Sequence, residues 1–134
     1  FYDVLALSKK PVTVSHSNLR ELCGHKRNIT KDEFRLLIKN GGVAGVNFYP
    51  PFLNGDRADM NDILRHIDAF LSLGGEDSVG IGTDFDGIGS LPGGIYGTRS
   101  LYTLCEKLIT LYGDNVAEKI MGQNFLRVLR ANLR

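Results

Sequence analysis

Three short stretches of the chain are rich in β-branched residues, and each ends in or is followed by polar side chains. Residues 12–14, 43–48 and 78–82 have the length and composition of buried strands. The polar residues at the ends of these stretches are, in order, His16, Asn47 with Tyr49, and Asp84. The pattern predicts three strands that each carry a polar group at the carboxyl end.

Between these stretches the apolar residues recur at helical spacing. The clearest helix is predicted over residues 59–73, where they form one stripe. Thr30 and Glu33 have the spacing of a capping box before another helix. Further elements are predicted as a loop over residues 49–55 and helices over residues 2–8, 101–111 (with Ser100 as its cap), 116–121 and 124–131. The alternation of strands and helices predicts an α/β fold with parallel strands and right-handed crossovers.

The carboxyl ends of parallel strands lie on one face of a fold, so the polar groups are expected to converge there. Asp84 has two interpretations: a carboxylate delivered into an active site, or part of a turn, since Asp and Gly favour turns. His16 is either a metal ligand or proton carrier, or a hydrogen-bonded histidine at the rim of the core. Arg27 is either a surface charge or a residue whose guanidinium binds a carboxylate through two hydrogen bonds.

The other two histidines are expected to have no role in such a site. His25 lies in a polar loop and is expected to be solvated, whereas His66 flanks the apolar stripe of its helix and is expected to be exposed. Gly80 and Gly82 lie inside a predicted strand rather than after it, which argues against a dinucleotide-binding motif. Phosphate binding by the glycine-rich loop over residues 87–97 remains an alternative.

Composition narrows the class of protein. The chain has 134 residues and a formal net charge of +1, which gives no electrostatic reason to expect nucleic-acid binding. No apolar run approaches the roughly 20 residues of a membrane span.

The single pair Cys23 and Cys105 is too sparse for a disulfide framework, so a reducing compartment, the cytoplasm, is expected. The first residue is Phe1, and the natural start is expected to be absent.

Four segments read VSHS at residues 14–17, RN at 27–28, VNFY at 46–49 and GIGTDFDG at 80–87. Together they resemble the membrane (renal) dipeptidase family of zinc peptidases. The segment GQNFLRV at residues 122–128 is similar to the C-terminal helix of that family. The segments occur in the family's order and at similar spacing, and the set is specific although no single segment is.

This resemblance implies a TIM (β/α)8 barrel in which two zinc ions lower the pKa of a bridging water and polarise the scissile carbonyl of a dipeptide. It implies that His16 is a ligand of the second zinc. It also implies that Arg27 binds the C-terminal carboxylate of the substrate, and that Asp84 is the catalytic acid beside the substrate's amino end. Tyr49 and Phe52 fall where the family lines its substrate pocket.

A complete barrel needs about 250 residues, and the family's other metal ligands have no counterpart here. Residues 1–134 are therefore expected to be the C-terminal portion of one metallo-dipeptidase barrel domain, about strands six to eight with their helices, without the N-terminal half. The chain alone is expected to be inactive and to form a homo-oligomer or associate with its missing half. The alternative from another class is a non-catalytic α/β structural or interaction module.

Overall fold

Helices and parallel strands alternate along the chain in the computed structural model, which describes residues 1–133. The strands are β1 (Thr13–Val14), β2 (Val43–Val46) and β3 (Val79–Ile81), and all pair in parallel in the order β1-β2-β3. The helices are α1 (Tyr2–Leu7), α2 (Lys31–Lys39), α3 (Pro50–Leu53), α4 (Met60–Ser72), α5 (Ser100–Tyr112), α6 (Asp114–Glu118) and α7 (Asn124–Asn132), with a π-helical turn at Lys119–Gln123 before α7. The predicted α/β fold with a parallel sheet is confirmed.

The core lies around the central strand β2, whose four residues are all buried. Helix α2 contributes Phe34 and helix α4 contributes Phe70, whose rings pack with their centroids 4.4 Å apart. Helix α5 adds Leu104 and Leu108, one turn apart on its buried face. Only β2 is buried throughout, whereas Thr13 of β1 is exposed and Ile81 of β3 is half-buried.

The capping box predicted at the start of α2 is present. The backbone N–H of Glu33 donates to Oγ1 of Thr30 across 3.1 Å, and the backbone N–H of Thr30 donates to Oε2 of Glu33 across 2.8 Å. A second capping box joins Asp59 to Asp62 at the start of α4. These local bonds fix where the two helices begin and therefore how their apolar faces meet the sheet.

Several predicted boundaries are wrong. The loop predicted after β2 contains the one-turn helix α3, which begins at the proline pair because proline is pre-organised for a first helical turn. Ser100 does not cap α5: it is the first residue of that helix, and its hydroxyl accepts a hydrogen bond from the backbone N–H of Tyr96 across 2.8 Å. Leu111, the last residue of the predicted helix, is 55% exposed, because the buried face of α5 ends at Leu108.

Candidate functional site

The ends of the three strands approach one another because two glycines leave room for the chain after β1. A Cβ atom added at Gly45 or at Gly82 would overlap the carbonyl oxygen of Ser15. The N–H of Ser17 also donates to the carbonyl oxygen of Gly45 across 2.7 Å. Residues 15–17 therefore lie across the carboxyl end of β2. His16, in the middle of this segment, thus lies at the carboxyl ends of the strands.

His16 and Arg27 are in direct contact. Nη2 of Arg27 donates to Nε2 of His16 across 3.0 Å, and Nδ1 of His16 lies 2.8 Å from Oγ of Ser15. Because a guanidinium has no acceptor, Nε2 must carry the imidazole lone pair and Nδ1 the proton. The structure thus brings together the two residues that the sequence singled out as a metal ligand and as a carboxylate anchor.

Buried polar side chains hold the loop that carries Arg27. Oγ of Ser17 donates to the carbonyl oxygen of Arg27 across 2.9 Å. The amide of Asn28 donates to the carbonyl oxygens of Cys23 and Phe52 across 2.8 and 2.9 Å. Ser17 is 3% exposed and Asn28 is fully buried, so these bonds are shielded from competing water.

Tyr49 and Phe52, the predicted pocket residues, are neighbours. Their rings pack edge-to-face with centroids 5.0 Å apart. His25, predicted to be solvated, is only partly exposed: its ring lies 4.4 Å from that of Phe52, and its Nδ1 accepts the backbone N–H of Arg27 across 3.2 Å. The three rings form one aromatic cluster beside the Arg27 loop.

Asp84 follows β3 and has a backbone conformation unusual for its residue type. Its φ is +60°, and no other non-glycine residue in the described chain has a positive φ. Asp tolerates this region better than most residues. Its Oδ2 accepts a hydrogen bond from Nδ2 of Asn47 across 3.1 Å, and a Cβ added at Gly87 would overlap its Oδ1. The turn interpretation is confirmed, because the carbonyl oxygen of Asp84 accepts the N–H of Gly87 across 2.9 Å. The interpretation of Asp84 as a carboxylate delivered into an active site stays a prediction.

An open cleft of about 330 Å³ lies beside the end of β1. Its walls include His16, Arg27 and Ile29 together with the apolar residues Val12 and Val14. Asp84 and the aromatic cluster lie outside this cleft, so it unites only two of the predicted site residues.

The prediction that His66 is exposed is wrong. It is fully buried, its Nδ1 accepts the backbone N–H of Leu19 across 3.2 Å, and its Nε2 donates to the carbonyl oxygen of Leu53 across 3.0 Å. Burial is the main reason why the pKa of His66 lies below its ordinary value. The histidine therefore ties the loop after β1 to helix α3 as a neutral ring.

Sequence reasoning missed the structural role of three asparagines, since it predicts only Asn47 to lie at the end of a strand. Asn18, Asn28 and Asn47 are all fully buried and bonded in series: the N–H of Asn18 donates to Oδ1 of Asn28, and the N–H of Asn47 donates to Oδ1 of Asn18. A sequence signal is weak, because asparagine in irregular segments is common in turns.

The donor groups of the described residues do not make up a metal centre on their own. Within residues 1–133, no three His, Cys, Asp or Glu side chains are placed to hold a metal ion together. One imidazole does not make a metal centre, since protein metal sites use three or four such ligands. The described residues therefore do not fit a complete metal site.

In the same part of the chain, Cys23 and Cys105 are free thiols, and no helix has the length and apolar character required to cross a bilayer.

Comparison with known proteins places this arrangement in a family. Residues 1–133 match the family model described as membrane dipeptidase, peptidase family M19. An uncharacterised protein from the 5′ region of pqqA in Klebsiella pneumoniae is 38% identical over 136 residues, covering 97% of this chain and 50% of that protein. An uncharacterised dipeptidase of Schizosaccharomyces pombe is 39% identical over 132 residues, covering 95% of this chain and 32% of that protein.

A solved structure gives the same result at the level of the fold. The metallopeptidase of Rhodobacter sphaeroides, liganded with a phosphinate mimic of the dipeptide L-Ala-D-Ala, superposes with a TM-score of 0.89 at 30% identity. The match covers 97% of this chain and 38% of that one. The chain thus spans half or less of the length of these three proteins.

Proposed function

Since the chain belongs to the membrane dipeptidase family, peptidase family M19, we propose that it is part of a metal-dependent hydrolase that cleaves dipeptides. The observation that carries this proposal is the contact between His16 and Arg27 at the end of β1. It supplies an imidazole and a guanidinium side by side, which suits a site that binds both a metal and a substrate carboxylate. A non-catalytic α/β module would not need this pair, and the glycine-rich loop over residues 87–97 does not line the cleft that contains it.

We propose that residues 1–134 form the C-terminal portion of a (β/α)8 barrel. Three adjacent parallel strands in chain order, each followed by helix, are the repeat from which such a barrel is built. Val12, Val14 and Ile81 are only partly buried although they lie in or beside the strands, which is expected where further strands would pack against them. The greater length of the relatives supports the same proposal.

We propose that the metal is zinc, that two ions are bound in the complete protein, and that His16 is a ligand of one of them. Nε2 of His16 carries the lone pair that a ligand needs, and His16 lines the open cleft beside β1. The remaining ligands would come from outside residues 1–134, because the described residues offer no group of three.

The roles proposed for the chain's own residues concern the two ends of the substrate. Arg27 would bind the C-terminal carboxylate through its fork, and Asp84 would pair with the amino end and take up the proton of the attacking water. Tyr49 and Phe52 would form an aromatic wall beside them. A substrate held at both termini has room for two residues only, which accounts for a preference for dipeptides.

The test uses the complete protein that contains these residues. Metal content is measured by mass spectrometry, and hydrolysis is measured for a dipeptide, the matching tripeptide and the dipeptide with a blocked amino group. We expect bound zinc and rapid hydrolysis of the free dipeptide alone, with activity lost on chelation and restored by zinc. A metal-loaded protein that hydrolyses none of the three, or all three equally, would contradict the proposal.

A further inference from the structure

Asn47 joins the ends of two strands through a fully buried side chain. Its Nδ2 donates to Oδ2 of Asp84 across 3.1 Å, beyond the end of β3. Its Oδ1 accepts the backbone N–H of Tyr49 across 2.6 Å, at the start of α3. One amide group therefore contacts both the proposed catalytic carboxylate and the backbone of a proposed pocket residue.

Asn47 is itself held from both sides of its backbone. Its N–H donates to Oδ1 of Asn18 across 2.9 Å, and its carbonyl oxygen accepts Nδ2 of the same asparagine across 3.0 Å. Asn18 also donates to the carbonyl oxygen of Phe52 across 3.1 Å. Both asparagines are fully buried, so the side chain of Asn47 approaches Asp84 from a fixed base.

The two oxygens of the Asp84 carboxylate have different surroundings. The residue lies at a positive φ in a turn that is closed by a hydrogen bond from the N–H of Gly87 across 2.9 Å. Asp84 is only partly buried, and its Oδ1 lies next to Gly87, where any side chain with a Cβ atom would overlap it. The amide of Asn47 is the donor that orients the other oxygen.

We propose that Asn47 is the positioning residue for Asp84: its amide holds one carboxylate oxygen so that the other faces the substrate. The inference rests on the proposed dipeptidase function and adds to it a residue that contacts no substrate. Because Asn47 acts through Asp84, its contribution exists only while the carboxylate is present.

A double-mutant cycle in the complete metal-loaded protein tests this dependence. The four proteins are the wild type, Asn47→Ala, Asp84→Asn and the double variant, and kcat for a dipeptide is measured for each. We expect Asn47→Ala to lower kcat by about tenfold in the wild type and by less than about twofold in the Asp84→Asn background. Equal losses in both backgrounds would overturn the inference, since a residue with a general structural role gives additive effects.

Two further variants keep the result interpretable. Asn61→Ala is the matched control, because exposed Asn61 also donates to a carboxylate, that of Asp59, across 3.2 Å, and we expect it to leave kcat unchanged. If Asn47→Ala unfolds the protein, as a melting curve would reveal, Asn47→Asp replaces it, since it keeps the volume and the acceptor for Tyr49. Asn47→Asp alone should lower kcat. It should cause little further loss in the Asp84→Asn background, where one carboxylate and one amide again face each other.

The outcomes separate the two proposals. A folded, metal-loaded wild type without dipeptide hydrolysis contradicts the proposed function itself. Hydrolysis with additive losses in the cycle contradicts only the role of Asn47.

Discussion

Nη2 of Arg27 donates a hydrogen bond to Nε2 of His16 across 3.0 Å, although the two lie 11 positions apart in the chain. The contact occupies the imidazole lone pair with a cation. A metal ion needs the same lone pair, so a metal-bound His16 requires the guanidinium to turn away from the ring. Turning away would leave the fork of Arg27 free for a substrate carboxylate.

Replacement of Arg27 is expected to weaken substrate binding. Arg27→Ala in the complete protein removes a hydrogen bond to a charged group, worth about 1.5–3 kcal/mol, and should raise KM for a dipeptide roughly 10- to 100-fold. The KM of the corresponding dipeptide amide, which has no carboxylate, should change much less. Arg35→Ala is the control, because Arg35 is an exposed arginine paired with Asp32 on α2. Equal changes in KM for the acid and the amide would exclude Arg27 as the carboxylate anchor.

Replacement of His16 is expected to change metal content. His16→Ala in the complete protein removes a proposed ligand, so the second of the two proposed zinc ions should be lost before the first during dialysis against increasing chelator. The control is His25→Ala, since His25 packs on Phe52 instead. Stoichiometry is read by elemental analysis, independently of activity. A variant that keeps wild-type stoichiometry shows that His16 is not a ligand.

Replacement of Asp84 is expected to affect rate more than stability. Asp84→Asn keeps the shape and the tolerance of positive φ but cannot accept a proton, so kcat should fall by roughly 10²–10⁴-fold with little change in Tm. Asp84→Ala should also lower Tm, because alanine at φ +60° costs about 1–2 kcal/mol. The neighbouring exposed carboxylate provides the control, Asp86→Asn. Near-normal turnover of Asp84→Asn would give Asp84 a structural role only.

The buried His66 is expected to make stability depend on pH. Its pKa is lower in the folded protein than the ordinary value of 6.5, so the unfolded chain binds more protons below that pH. Its contribution to the free energy of unfolding is therefore complete above pH 6.5 and declines as the pH falls toward the folded pKa.

Urea denaturation of the complete protein at about pH 7.5 and about pH 5.5 measures this dependence. His66→Gln, which keeps one donor and one acceptor, should reduce the difference between the two pH values. Ser72→Ala on the exposed side of the same helix should leave that difference as in the wild type. An unchanged difference in His66→Gln would show that another group is responsible.

The chain of residues 1–134 by itself is expected to be inactive and to self-associate. The outer edges of β1 and β3 carry no further strand within the described residues, and open edges recruit strands from other molecules. Apolar side chains of α1 are also exposed, Leu7 by 82%. Size-exclusion chromatography and a dipeptidase assay with added zinc provide the measurement. A monodisperse, active monomer would contradict both the half-barrel proposal and the need for ligands from elsewhere.

The sequence by itself determined the order and type of most elements. Periodicity located α4, length and composition located the three strands, and the Thr30–Glu33 capping box set the start of α2, because these signals depend on residues close together in the chain. The sequence also placed His16 and Asp84 after strands, and parallel pairing then puts them at one edge of the sheet. It did not determine the environment of His25 or His66, which neighbours distant in sequence provide.

Only the tertiary structure decided which side chains meet at that edge. Three close approaches join segments that are distant in the chain. Arg27 donates to His16, Asn47 donates to Asp84, and the carbonyl oxygen of Ser15 lies where Cβ atoms at Gly45 and Gly82 would be. Whether two groups form a hydrogen bond depends on their distance to within a few tenths of an ångström, and the packing of the whole chain sets that distance. The sequence determines that polar groups end the strands, and the fold determines which of them hold one another in place.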